Sequence, residues 1–183
     1  MNAGRALTVV LAVAIVGGFG WAYSELNRAD DNTLIVLSLR DNPVGYMAEH
    51  VLRRKILSGA LNGSDALFLA LSLAYSEHFD SETAYSKADE ILSYGVDIDA
   101  EKTDGDAPLI TAIVLNWPEI VVYLLEHCAD SGVMHRLGPD PIHHKSAIEL
   151  ARHWNIEYPE RDYSRVVDAL ENQELTERCE ESR

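Results

Sequence analysis

Apolar and polar positions alternate along this chain in two distinct ways. From Ala6 to Tyr23 nearly every position is apolar, interrupted only by Thr8 and by glycines at 17, 18 and 20. Beyond it the apolar residues fall into short stripes at helical spacing: Met47, Val51, Leu52 and Leu57 within Val44 to Leu57; Leu69, Ala70 and Leu73; Ala88, Ile91 and Leu92; Ile120, Val121, Leu124 and Leu125; Val166, Val167, Ala169 and Leu170. Recurrence at three and four residues places each set on one face of a helix. Leu34 to Leu39 is a short apolar run whose periodicity assigns neither strand nor helix. Gly95, Pro108 and Pro159 punctuate the stripes, since glycine accepts the left-handed backbone at a helix end and proline suits a first turn but not an interior. The pattern predicts an all-α fold.

The stripes also repeat. Asp104-Gly105-Asp106-Ala107-Pro108-Leu109-Ile110-Thr111-Ala112 precedes Pro118-Glu119-Ile120-Val121-Val122-Tyr123-Leu124-Leu125-Glu126-His127-Cys128-Ala129-Asp130. This resembles one ankyrin repeat, with Ala107 in place of threonine, Ile110 of histidine and Cys128 of the closing glycine. Asn116 stands where the family has glycine, and Asn tolerates the left-handed conformation. A weaker upstream copy opens at Gly63-Ser64-Asp65-Ala66-Leu67 and ends at Tyr94-Gly95-Val96-Asp97-Ile98-Asp99-Ala100, with an insertion from about Tyr75 to Ala84. A third opens at Ser146-Ala147-Ile148-Glu149-Leu150-Ala151, with Asn155 aligned to Asn116 and an insertion from Ile156 to Arg161. The resemblance implies a short ankyrin-like helical solenoid of about three repeats over residues 61–170. Residues 25–60 are expected to form an N-terminal capping segment and residues 171–183 a polar tail, because repeats bury their apolar faces only against neighbours.

Residues 1–24 are expected to be a signal peptide or a membrane anchor. The run is near the lower limit for a membrane span yet longer than a usual signal-peptide core. Ala22-Tyr23-Ser24 offers small residues before a cut after Ser24, and Arg5 ahead of the run keeps that end in the cytosol. Cleaved or retained, the segment directs the remainder outward, to the periplasm or its inner-membrane face. Fifteen Lys and Arg against thirty Asp and Glu give a net charge of −15. Such acidity repels nucleic acid and anionic lipid and favours a basic partner, or serves only solubility. Cys128 and Cys179 could pair in an oxidising compartment, or Cys128 could fill a tight turn as a small residue.

No phosphate-binding glycine loop, paired-cysteine zinc motif or nucleophile elbow appears, so neither enzyme chemistry nor a cofactor is expected. Ser64 and Ser146 read as helix N-caps. His127, His135, His143, His144 and His153 read as solvated or partner-contacting groups and not as a metal site. Ser131 to Lys145 is longer than the hairpin the ankyrin family uses there, and it interleaves apolar residues with glycine and proline. Since ankyrin proteins often bind through hairpin tips, the resemblance makes Asp130, Val133, Met134, His135, Leu137 and Asp140 the candidate partner-binding residues. Trp117, in the turn between helices, is a further candidate anchor or else a cap on the core. In plan the chain is similar to periplasmic ankyrin-like immunity proteins, which bind and neutralise a secreted antibacterial toxin; some oppose phospholipase effectors delivered by type VI secretion. The alternative is a periplasmic scaffold or envelope-stress adaptor joining host proteins. If the segment ahead of Ser24 directs export, alkaline phosphatase fused after Arg183 will be active and a cytosolic reporter silent; the reverse pattern would exclude export.

Overall fold

The computed structural model describes residues 18, 20–136, 142–172 and 179. Among these the fold is all-helical, with one isolated antiparallel bridge between Met134 and Ser146 and no strand. Helix α1 covers 20–28. It is followed by α2 (Asp31–Ser38), α3 (Pro43–Leu57), α4 (Gly63–Ser72), α5 (Ser81–Ser93), α6 (Pro108–Val114), α7 (Pro118–Glu126), α8 (Ala147–Glu157) and α9 (Ser164–Glu171). No described helix is long and apolar enough to cross a membrane; most of the Ala6–Tyr23 run lies outside the described residues.

Helix starts follow local side-chain chemistry. Asp30, Asn42, Asn62 and Asp80 each accept hydrogen bonds from backbone N–H groups of the first turn that follows, which have no partner within the helix. Pro43, Pro108 and Pro118 occupy first-turn positions, where a missing N–H is harmless. Ser146 caps α8 as its sequence implies, with its backbone N–H donating to Glu149 at 3.0 Å. Ser64 does not cap α4. Asn62 takes that place, and the buried Ser64 hydroxyl donates instead to the carbonyl of Asp97 at 3.3 Å.

The chain divides into two compact units, Met1–Leu61 and Asn62–Arg183. In the first, the ambiguous apolar run proves helical: it forms most of α2, which packs on α3 through Leu34, Ile35, Ala48, Val51 and Leu52. Leu57, expected on the apolar face of α3, is largely exposed at the helix end.

In the second unit the helices form three consecutive pairs: α4 on α5, α6 on α7, α8 on α9. The first helices also touch one another, α4 with α6 and α6 with α8, while α7 touches α9. The result is two rows with the core between them, containing Leu67, Leu71, Ile91, Leu109, Ile110, Ile113, Ile120, Leu124, Leu150 and Val166. Short turns close each pair, and the longer loops 94–107 and 127–146 join one pair to the next.

Residues in the left-handed region mark the turns: Gly95 (φ 81°), Asn116 (φ 58°), Cys128 (φ 65°) and Asp162 (φ 44°). Asn155 is not among them. Helix α8 runs through it to Glu157, so the turn falls at Asp162, and the Asn155 side chain accepts from the Tyr163 N–H at 3.1 Å. Asn116 reaches across to donate to the Arg161 carbonyl at 2.6 Å, tying two neighbouring turns together. Cys128 and Cys179 form a disulfide across 51 residues. In the chain-entropy picture a loop of that length contributes about 4 kcal/mol by restricting the unfolded chain. Leu124 is fully buried between the rows. Leu124→Ala should therefore lower stability by about 2–5 kcal/mol in urea denaturation, whereas a loss below about half a kilocalorie would contradict the packing of α7.

Candidate functional site

The described parts of the loop, residues 130–136 and 142–146, are held together by backbone bonds. His135 N–H donates to Lys145 O at 2.9 Å, His144 N–H to His135 O at 2.8 Å and Ala147 N–H to Val133 O at 3.1 Å. Its anchor is Asp106. The carboxylate of Asp106 lies 3.0 Å from His135 Nδ1 and accepts the Arg136 N–H at 2.9 Å, and both side chains are about 5% exposed. A buried carboxylate needs such partners, and it binds this loop to the preceding one. His135 therefore faces inward. The candidate partner-binding residue at this position is thus buried, with its ring against Asp106.

Met134 projects outward at 56% exposure, and Val133 is half-buried. Asp130 is exposed, yet its carboxylate accepts the Gly132 N–H at 2.8 Å, while its own N–H donates to Asp99 Oδ1 at 2.8 Å. It shapes the turn as well as charging it. Leu137 and Asp140 lie outside the described residues. The two loops joined by these Asp130–Asp99 and Asp106–His135 contacts carry Asp97, Asp99, Glu101, Asp104, Asp106 and Asp130 against Lys102 and Arg136. Lys102 is buried and bonded to Asp104, and Arg136 is bonded to Glu101, so the exposed charge of this edge is acidic.

Trp117 is not part of that edge. It precedes α7 and Asp130 follows it, so the two are separated by a helix of nine residues, about 14 Å long. The indole stacks on Tyr75 with centroids 4.7 Å apart and on Phe68 at 5.8 Å, bridging the first and second helix pairs. Of its two expected roles, the contacts support a cap on the core.

A second polar network, not anticipated from the sequence, lies on the row of second helices. The Tyr75 hydroxyl donates to Glu119, which also receives Arg165 at 2.7 Å. The Tyr123 hydroxyl donates to Asp89 at 2.6 Å, and His127 Nε2 lies 3.1 Å from the same carboxylate. Tyr85 stacks on Tyr123 at 5.0 Å. Burial raises the phenols of Tyr75 and Tyr123 far above the ordinary tyrosine value, and their carboxylate partners add to the shift. Glu119 moves the other way, held below its ordinary value by the Tyr75 hydroxyl and then by Arg165. Beside this network is a groove of about 680 Å³ between α7 and α9, with Tyr85 on its wall. Its sequence signal is a stripe at helical spacing, Glu119, Val122 and Glu126, two carboxylates with one valine, which is indistinguishable from an ordinary solvated face until α9 lies alongside.

Compared with protein-family models, curated proteins and solved structures, the chain matches none.

A phenol whose folded-state value is raised contributes stability that is complete below about pH 10 and lost as pH rises through the folded value. Glu119 contributes in the opposite window, above its ordinary value, and its contribution fades as pH falls through the lowered one. Glu119→Gln should lower the Tyr75 ionisation in an ultraviolet alkaline titration while leaving it above the ordinary tyrosine value, because the burial remains, with Tyr123 unmoved. An unchanged titration would exclude the Tyr75–Glu119 bond.

Proposed function

We propose that this chain is an exported, ankyrin-like binding protein that neutralises a secreted antibacterial toxin by covering a basic cleft on it. The ankyrin assignment of the helix pairs draws on repeat spacing. Gly95 and Cys128 both end a second helix in the left-handed conformation, and 128 − 95 is 33, the length of the ankyrin repeat. The inter-loop bond from Asp130 N–H to Asp99 gives adjacent units one shared edge. Export is favoured by the Cys128–Cys179 disulfide, because such bonds persist in oxidising compartments and not in reducing cytosol.

The observation that carries the reading is the acidic loop edge with an outward apolar side chain. Asp97, Glu101, Asp104 and Asp130 are exposed on two loops that Asp130–Asp99 and Arg136–Glu101 contacts join, and Met134 is exposed on the second of them. Carboxylates at a rim steer a basic partner and set association rate, while a central apolar anchor controls dissociation. A phospholipase effector, whose substrate carries phosphate, offers a cleft of the complementary sign. The scaffold reading draws on a different observation, the groove between α7 and α9, since an adaptor needs two surfaces.

Because Asp130 also shapes its turn, the electrostatic probe is Glu101, an exposed carboxylate whose ion pair with Arg136 is itself exposed. Glu101→Lys should slow association about tenfold at low ionic strength, with the difference shrinking as salt is added. Met134→Ser should instead speed dissociation. Capture of the partner from toxin-secreting cells, followed by competition between strains, measures both affinity and protection. Wild-type affinity and protection in both folded variants would remove this edge from the interface. If no exported toxin is captured by the wild-type chain, the scaffold reading replaces this one.

A further inference from the structure

The groove on the second-helix row is built from two matched stripes. Helix α7 contributes Glu119, Val122, Tyr123 and Glu126, and helix α9 with its cap contributes Arg165, Asp168, Ala169 and Asn172. Both follow the same spacing of three, four and seven residues, the pattern that puts side chains on one helix face. The Arg165–Glu119 pair closes one end. Between the stripes the floor is apolar, made by Val122 and Ala169 with Pro118 beside them, and Tyr85 and Tyr123 form an aromatic wall. Seven residues of helix give a channel about 10 Å long, the span of about three residues of extended chain.

The charges in this channel do not balance. Arg165 is already engaged by Glu119, whereas Glu126 and Asp168 are exposed and make no ion pair among the described residues. An anion would meet uncompensated negative charge there, and a purely apolar ligand would strip water from two carboxylates without replacing its hydrogen bonds. A cation on an apolar stem satisfies both halves. Its stem can lie along Val122 and Ala169, and its head can reach Glu126 and Asp168. Of the two basic side chains, arginine fits better: its planar guanidinium stacks flat on an aromatic face and pairs with a carboxylate through two parallel hydrogen bonds, whereas an ammonium, though also drawn to aromatic rings, is a point charge without that planar geometry.

We propose that this groove is a second interaction surface, which binds an arginine-bearing segment of a partner protein. It is made by helices and not by the acidic loops, and it stands whether or not the loop edge binds a toxin. The test uses the full chain with its disulfide intact and a short capped peptide in which two arginines flank a leucine, followed by calorimetry. The peptide should bind, and its glutamine-for-arginine counterpart should not. Glu126→Gln combined with Asp168→Asn removes two exposed charges and should weaken binding about tenfold. Val122→Phe should block the channel without changing its charge, with circular dichroism confirming the fold of each variant. Glu101→Lys, on the loop edge, should leave peptide affinity unchanged. Several results would overturn the proposal: undiminished affinity in the charge-neutralised variant, an equal loss in Glu101→Lys, or binding that appears only after the disulfide is reduced. The last would mean that the groove is not open in the native chain. Loss of toxin capture without loss of peptide binding, or the converse, separates the two surfaces.

Discussion

The helices of the second unit run from seven residues in α6 to thirteen in α5, too short to be stable alone in water. What makes them helical is burial against neighbours, and α6 bears most of that requirement. Leu109, Ile110, Ala112 and Ile113 leave almost no polar face on it, and it is covered by α4 on one side, α8 on the other and α7 behind. Removing any one cover would expose side chains whose transfer from water contributes on the order of 1.5–3 kcal/mol each. The helix pairs are therefore interdependent, and their turns have to meet in register for the rows to form.

Register is enforced at both edges by polar contacts, of which the one at the buried Asp106 carboxylate is obligatory. At one edge Asn116 bonds the Arg161 carbonyl, and Tyr163 sends its hydroxyl to the Val114 carbonyl at 3.2 Å. At the other, Asp106 holds His135 and the Arg136 N–H, while Asn62 donates to the Glu101 carbonyl at 3.0 Å. The disulfide adds a covalent tie from the end of α7 to Cys179. With its anchor groups turned inward, the loop edge exposes carboxylates and Met134, the surface on which the proposed binding to a basic partner rests.

The two candidate surfaces differ in how they are made, and this bears on what each can do. The loop edge depends on turns and hydrogen bonds that adjust locally, which suits a surface accommodating another protein's cleft. The groove between α7 and α9 is lined by side chains fixed on helices and backed by the Tyr75–Glu119–Arg165 and Tyr123–Asp89–His127 networks. A pre-shaped channel of this kind loses less freedom on binding a single extended segment.

Helical spacing, proline placement and capping residues were legible along the chain because they are local. The stripes of α5 and α7, the first-turn prolines at 108 and 118, the left-handed turns at Gly95 and Asn116, and the cap at Ser146 all follow from interactions within a few residues. Acidity and the candidate loop were legible as composition and length. Tertiary contact decided the rest. Whether Leu34 to Leu39 was helix or strand depended on α3 lying against it. His135 looked like any loop histidine until Asp106, 29 residues earlier, was brought to its ring. Asn155 was drawn into α8 and the turn moved to Asp162, a shift no spacing rule contains. Cys128 and Cys179, 51 residues apart, meet only in the folded chain, and the groove exists only where the outward stripes of α7 and α9 face each other. A sequence specifies interactions along a single helix or turn directly, while partners tens of residues apart are selected by which apolar faces the whole chain can bury together.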